Sequence, residues 1–147
     1  MKLLFTSIGR RVELVQAFKN AAAKLGVELI LYGADISASA PALQFCDRTV
    51  LVPRIKDPAY IPSLLEVCEK EGIDALIPTI DTDLIVLAEN REQFSAIGTR
   101  AVISAPDRIA LCRDKRLTAD YFHSVGLESP APVDKVEAYT AGFPAFI

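Results

Sequence analysis

The stretch KLLFTSIGRRVELVQAFKNAAAKLG, residues 2–26, decides the fold. Its opening, KLLFTS, is an apolar run of the length of one strand. From Val12 the pattern changes: Val12, Val15, Phe18, Ala22 and Leu25 recur at spacings of three and four, which builds one apolar stripe along a helix. Gly26 follows at the place where a left-handed residue closes a helix. A strand therefore hands over to a helix through the loop SIGRR. Arg10 and Arg11 open that helix, where the macrodipole already places about half a positive charge. The arrangement costs about a few tenths of a kcal/mol unless an anion offsets it.

The same alternation continues along the chain. VELILYG (27–33), TVLVP (49–53), DALIPT (74–79) and RAVIS (100–104) are strand-like, and each is followed by a helical or short helical segment. In the segment after TVLVP, Asp57 can cap, Pro58 suits the first helical position, Ile61, Leu64, Leu65 and Cys68 make the apolar face, and Gly72 ends the helix. After DALIPT, residues 82–94 read as one helix. Continuously apolar strands joined by helical crossovers predict an α/β, doubly wound (Rossmann-like) parallel sheet in three α/β/α layers. The right-handed crossover rule favours the strand order 3-2-1-4-5, with strand one central.

Beyond RAVIS, residues 104–126 read as two short helices or one broken helix, with Asp114 as a second cap, Gly126 as the stop, and Leu117, Tyr121 and Val125 as a core face. Two prolines then make LESPAPV (127–133) a connector, and DKVEAYTAGFPAFI (134–147) reads as a helix followed by an apolar strand starting at Phe143. Residues 1–127 are expected to form one domain, and 128–147 a linker with the start of a further module. An unpartnered apolar strand is a poor natural terminus, so the chain is expected to be a fragment of a longer protein.

Composition narrows the functions. The chain has 147 residues, 51% hydrophobic and 24% charged, with a formal net charge of -3, and its basic residues are scattered rather than gathered into a stripe. Nucleic acid is therefore not an expected partner. No apolar run reaches the ~20 residues that span a bilayer, and no signal peptide is recognisable. Cys46, Cys68 and Cys112 form no C-x-x-C pair and have only His123 to join them, so three buried, reduced thiols in a cytoplasmic protein are expected, with no metal site.

In open parallel sheets, ligands bind beyond the carboxyl ends of the strands where the order reverses. There the loop SIGRR, with Gly9, Arg10 and Arg11, should face TIDTD, with Asp81 and Asp83. One reading is a site for a small zwitterion, with guanidinium groups on a carboxylate and an aspartate on the ammonium. The other is that Asp81 caps the fourth helix, Asp83 favours its dipole, and the arginines pair with these carboxylates or with Glu13. One glycine where a dinucleotide fingerprint needs three argues against a nicotinamide site, and leaves Asp35 as a cap or turn residue. The third strand ends in TVLVP rather than in the phosphoacceptor aspartate of a receiver. His123 reads as a solvated helix residue, and Tyr60 and Tyr121 as core.

Taken together, SIGRR, PTIDTD, Asp114-Lys115 followed by LTADYFHSVGLESPAP, and the terminal AGFPAFI resemble the amino-terminal (pre-ATP-grasp) part of ATP-grasp enzymes, in particular proteins similar to the carbamoyl-phosphate synthase large subunit. The resemblance covers essentially the whole chain. It implies an ATP-dependent carboxylate–amine ligase that works through an acyl phosphate, with ATP and Mg2+ as cofactors of the parent enzyme and none bound tightly by the fragment. It also implies that Lys115 reaches the ATP phosphates, that a second lysine and the metal carboxylates lie beyond Ile147, and that the partners are a carboxylate or amino-acid-like substrate and the missing ATP-grasp domain. A homodimer is left open. The competing reading is a non-catalytic α/β binding or assembly module whose crevice is filled by its own salt bridges.

Overall fold

The computed structural model describes residues 1–130. Five strands, β1 (Lys2–Thr6), β2 (Ile30–Asp35), β3 (Arg48–Leu51), β4 (Ala75–Pro78) and β5 (Arg100–Ala101), make one sheet in the order β3-β2-β1-β4-β5. Every pairing is parallel, and β1 is the middle strand. The α/β class, the strand order and the central place of strand one follow the sequence reading. Helices α1 (Val12–Leu25), α2 (Tyr60–Glu71), α3 (Asp81–Glu89) and α4 (Arg91–Ala96), with a 3-10 helix at Pro41–Phe45, cover the two faces. The chain divides after Pro106 into two compact units, the second holding nearly all of α5 (Pro106–Arg113) and all of α6 (Lys115–Ser124).

Alternation along β1 distributes the core. Leu3 and Phe5 point to the face covered by α1 and the 3-10 helix, where Phe5 meets Phe18 edge-on at 5.0 Å. Leu4 points to the other face, against α2 residues Tyr60, Leu64 and Cys68 and against Leu87 and Phe94. Burial of this kind contributes about 25 cal/mol per Å² of apolar surface and dominates the stability. Gly33 is required by close approach: a Cβ there would lie 2.7 Å from Cys46 Sγ and 2.9 Å from Leu43 Cδ2.

Helix ends follow the expected chemistry with instructive departures. Gly26 takes φ 65°, and Val27 and Gly26 N–H donate to the carbonyls of Ala22 and Ala23, as in a Schellman closure. Gly72 closes α2 at φ 63°. The start of α2 falls at Tyr60 rather than Pro58, because Asp57 first builds a turn, accepting from Ala59 N–H through its carboxylate and from Tyr60 N–H through its carbonyl. The single helix expected over 82–94 breaks at Asn90. Strand five ends after two residues because Ile103 N–H turns back to the Ala101 carbonyl. Among the cysteines only Cys68 is buried; Cys46 is half-buried and Cys112 exposed, and all three are free. Burial pushes the Cys68 thiol up to about 11. The core face expected on α6 is exposed: Leu117, Tyr121 and Val125 are 48%, 40% and 51% accessible. The helix and strand expected after Val133 lie outside the described residues.

Asp47 ties three elements together. It accepts from the Leu31 amide of β2 at 2.8 Å and from Lys19 of α1 at 2.6 Å, directly before β3. Burial works to raise its carboxyl, but the bonds from Lys19 and Leu31 outweigh it and hold the group below its ordinary value of 3.8. A carboxyl lowered on folding stabilises above its unfolded value and loses that contribution as pH falls through the folded one. Asp47→Ala should therefore lower the melting temperature at pH 7 and narrow its gap to the unsubstituted protein as pH drops from about 5 to 3; a gap independent of pH would contradict this account.

Candidate functional site

The order reverses between β1 and β4, so the loops leaving their carboxyl ends diverge and leave the crevice between them. Two residues of the β1–α1 loop lie in the left-handed region, Gly9 at φ 48° and Ser7 at φ 51°. For serine this conformation costs about 1–3 kcal/mol and requires surrounding structure to hold it. The Ser7 carbonyl accepts from Thr79 Oγ1 at 2.7 Å, and Ile8, fully buried, donates its N–H to Ala34. Gly9 N–H donates to Asp35 Oδ2 at 2.8 Å, while its carbonyl accepts from Ala42 N–H. Asp35, placed where a dinucleotide fold keeps its ribose acid, thus serves the loop itself and also accepts from Ser37 N–H.

The arginines divide into two roles. Arg11 Nη2 donates across the crevice to the Thr79 carbonyl at 3.4 Å. Arg10 is exposed, and no hydrogen bond or ion pair holds its side chain among the described residues. Neither guanidinium pairs with Glu13, Asp81 or Asp83. Helix α1 has no side-chain cap; the Arg11 and Val12 amides donate to the Ile8 and Arg10 carbonyls, which leaves the next amides of the first turn without a side-chain partner. Across the crevice, Asp81 is the first residue of α3, exposed and without a partner among the described residues; the cap position belongs to Ile80.

Asp83 is placed differently from the sequence expectation of a crevice residue. It is fully buried, and both its oxygens are engaged: Oδ2 accepts from Thr6 Oγ1 at 2.7 Å and Oδ1 from Tyr60 hydroxyl at 3.1 Å. No cation pairs with it among the described residues. Burial, and then the Asp83 charge, push the Tyr60 hydroxyl far above its ordinary value, so it remains a donor. Sequence reasoning placed Tyr60 in the core but missed its bond, and it missed Thr6 and Thr79. A hydroxyl at a strand end and a tyrosine on an apolar helix face carry no signal that separates such roles from packing.

In the second unit Asp114 caps α6, accepting from Arg116 N–H at 2.8 Å and Leu117 N–H at 3.4 Å. The Arg116 amide, foremost, holds its carboxyl below the ordinary range. Lys115 follows, exposed, with no partner among the described residues. His123 is exposed, as expected. A groove of about 510 Å3 runs beside β5 between Arg91 and Ser104, away from the switch point; it is open to solvent and brings together none of the expected residues. Among the described residues no three His, Cys, Asp or Glu side chains gather to hold a metal, and no helix is long and apolar enough to cross a membrane.

An α/β domain with a cationic loop at its switch point is the class this geometry defines. The family model described as PylC-like, N-terminal domain matches residues 3–103, and the chain belongs to that family. Membership agrees with the resemblance to the amino-terminal domain of ATP-grasp enzymes. The chain is also similar to a multifunctional pyruvate carboxylase from Rhizobium etli, with a TM-score of 0.59 and 18% identity over 91% of this chain and 13% of that one. N5-carboxyaminoimidazole ribonucleotide synthetase from Thermotoga maritima gives 0.59 and 18%, over 93% of this chain and 34% of that one. The biotin carboxylase subunit of a pyruvate carboxylase gives 0.56 and 18%, over 85% and 27%. These likenesses show the fold, and the chain spans between 13% and 34% of the length of these structures. No curated protein sequence matches.

If Asp35 is what holds Gly9, Asp35→Ala should cost about 1.5–3 kcal/mol in chemical denaturation, and Asp35→Asn less. An Asp35→Ala protein as stable as the parent would show that the loop is held by other contacts.

Proposed function

We propose that this domain is the acceptor-substrate side of an ATP-dependent carboxylate–amine ligase of the ATP-grasp type, with the remainder of the enzyme supplied by an ATP-grasp domain of the same chain. The observation that carries the reading is Arg10: an exposed arginine in the loop at the switch point, at the start of a helix without a side-chain cap, with no protein anion on its side chain among the described residues. Such a group suits the carboxylate of a small substrate, or its phosphorylated form. Arg11, braced on Thr79, flanks it, and exposed Asp81 suits the ammonium of an amino-acid-like molecule. Gly9 lets the backbone approach the ligand. Asp83 enters only through the groups it holds.

In this chemistry a carboxylate oxygen attacks the γ-phosphorus of ATP, ADP leaves, and an amine displaces phosphate from the acyl phosphate. The part that falls to this domain is orientation of the carboxylate and electrostatic stabilisation of the charge that gathers on it. Lys115, exposed and unpaired among the described residues, suits a contact to ATP phosphates; Mg2+, which neutralises phosphate charge in such reactions, would be held outside the described residues. Among ligases the motifs favour proteins similar to the carbamoyl-phosphate synthase large subunit, although exposed Asp81 suits an amine-bearing acceptor better than bicarbonate. Free thiols agree with a reducing cytoplasmic setting. The alternative, a non-catalytic assembly module, draws on the exposed Leu117, Tyr121 and Val125.

Two measurements test the reading. Inorganic phosphate should raise the melting temperature of the chain, and the rise should vanish in Arg10→Ala, a substitution that by itself leaves stability equal or raises it by about a few tenths of a kcal/mol. A phosphate-dependent rise that survives Arg10→Ala unchanged would overturn the assignment. Calorimetry with Mg-ATP should find no micromolar binding by the isolated chain, and such binding would show that the nucleotide site lies within it.

A further inference from the structure

The buried carboxylate of Asp83 is not explained by stability. It sits two residues along α3 from exposed Asp81, yet it is fully inaccessible, and its only bonded neighbours among the described side chains are two neutral hydroxyls. Removing a charge from water without a cation is unfavourable, and an apolar side chain of similar volume commonly serves a core as well or better. What the carboxylate does accomplish is to join three elements at the crevice: the end of β1 through Thr6, the start of α2 through Tyr60, and the first turn of α3.

Thr6 continues the connection. Its carbonyl accepts from Thr79 Oγ1 at 3.0 Å and from Thr79 N–H at 3.3 Å, and the next residue is Ser7 in the left-handed conformation. Thr79 Oγ1 also holds the Ser7 carbonyl, and the Thr79 carbonyl receives Arg11. Hydrogen bonds, joined through the side chain and backbone of Thr6 and of Thr79, thus link Asp83 to the Arg11 guanidinium at the crevice rim. We propose that Asp83 is a positioning residue, which through Thr6 and Tyr60 fixes the Ser7–Gly9 turn and thereby the affinity of the crevice for the anionic group of its substrate. The ligand half of this statement rests on the acceptor-site reading above; the conformational half does not.

Asp83→Leu, Asp83→Asn and the near-isosteric Thr6→Val separate the cases. Amide hydrogen exchange is read at Ile8 and Gly9, which donate to Ala34 and Asp35, and phosphate affinity is read by calorimetry. Asp83→Leu should melt cooperatively at an equal or higher temperature, while exchange at Ile8 and Gly9 quickens and phosphate affinity falls by about 3- to 30-fold. Asp83→Asn, which keeps an acceptor oxygen, should recover part of both. Should Asp83→Leu not fold, Thr6→Val carries the test with the same two readouts. Unchanged exchange at Ile8 and Gly9 in a folded variant would overturn the proposal. If the unsubstituted protein binds no phosphate, the acceptor-site reading fails, and the exchange measurement still decides the role of Asp83.

Discussion

A central strand in a parallel sheet has neighbours on both sides, and its chain must leave by its carboxyl end. The crossover from β1 leads to β2 on one flank, while the return from β3 crosses to β4 on the other. Loops that diverge from adjacent strand ends leave a cleft that neither can fill. Beneath it lies the buried Thr6–Asp83–Tyr60 cluster, on one side the Ser7–Arg11 loop, and on the other Thr79 and the start of α3.

The charges at the cleft are not spent on one another. Two arginines stand at the start of a helix, where the dipole opposes them; Glu13 in the first turn offsets part of that charge, but no ion pair joins either guanidinium to a carboxylate among the described residues. Two carboxylates that lie within reach by sequence are committed elsewhere: Asp35 to the Gly9 amide, and Asp83 to two hydroxyls in the interior. Had either paired with Arg10, the crevice would be neutral. The loop is held in its left-handed turn by bonds that leave both guanidinium groups without an ion pair among the described residues, with Asp81 exposed across the crevice.

The fold could be read from the chain because its determinants are periodic. Apolar strands, the three-and-four stripe of α1, and Gly26 and Gly72 at helix ends are local signals that tertiary structure did not override. The crevice was also legible, since the topology brings the β1–α1 loop, with Gly9, Arg10 and Arg11, and Asp81 at the start of α3 to the carboxyl end of the sheet. The inward turn of Asp83 was not. Position within a helix does not tell which way the third residue faces, and only the hydroxyls of Thr6 and Tyr60, 77 and 23 positions away, make an interior carboxylate tolerable. The stripe of Leu117, Tyr121 and Val125 misled for the opposite reason: amphipathic spacing marks a face that some surface covers, without showing that the surface is this domain.

The central claim is that Arg10 presents an unpaired guanidinium to an anion at the end of β1. The most direct test is a crystal structure of the chain grown from sulfate. The expected result is a sulfate held by Arg10 at the start of α1, with Gly9 N–H still on Asp35 and Asp83 still buried. Arg10 paired with Glu13 or Asp81, and no anion at the loop, would contradict it.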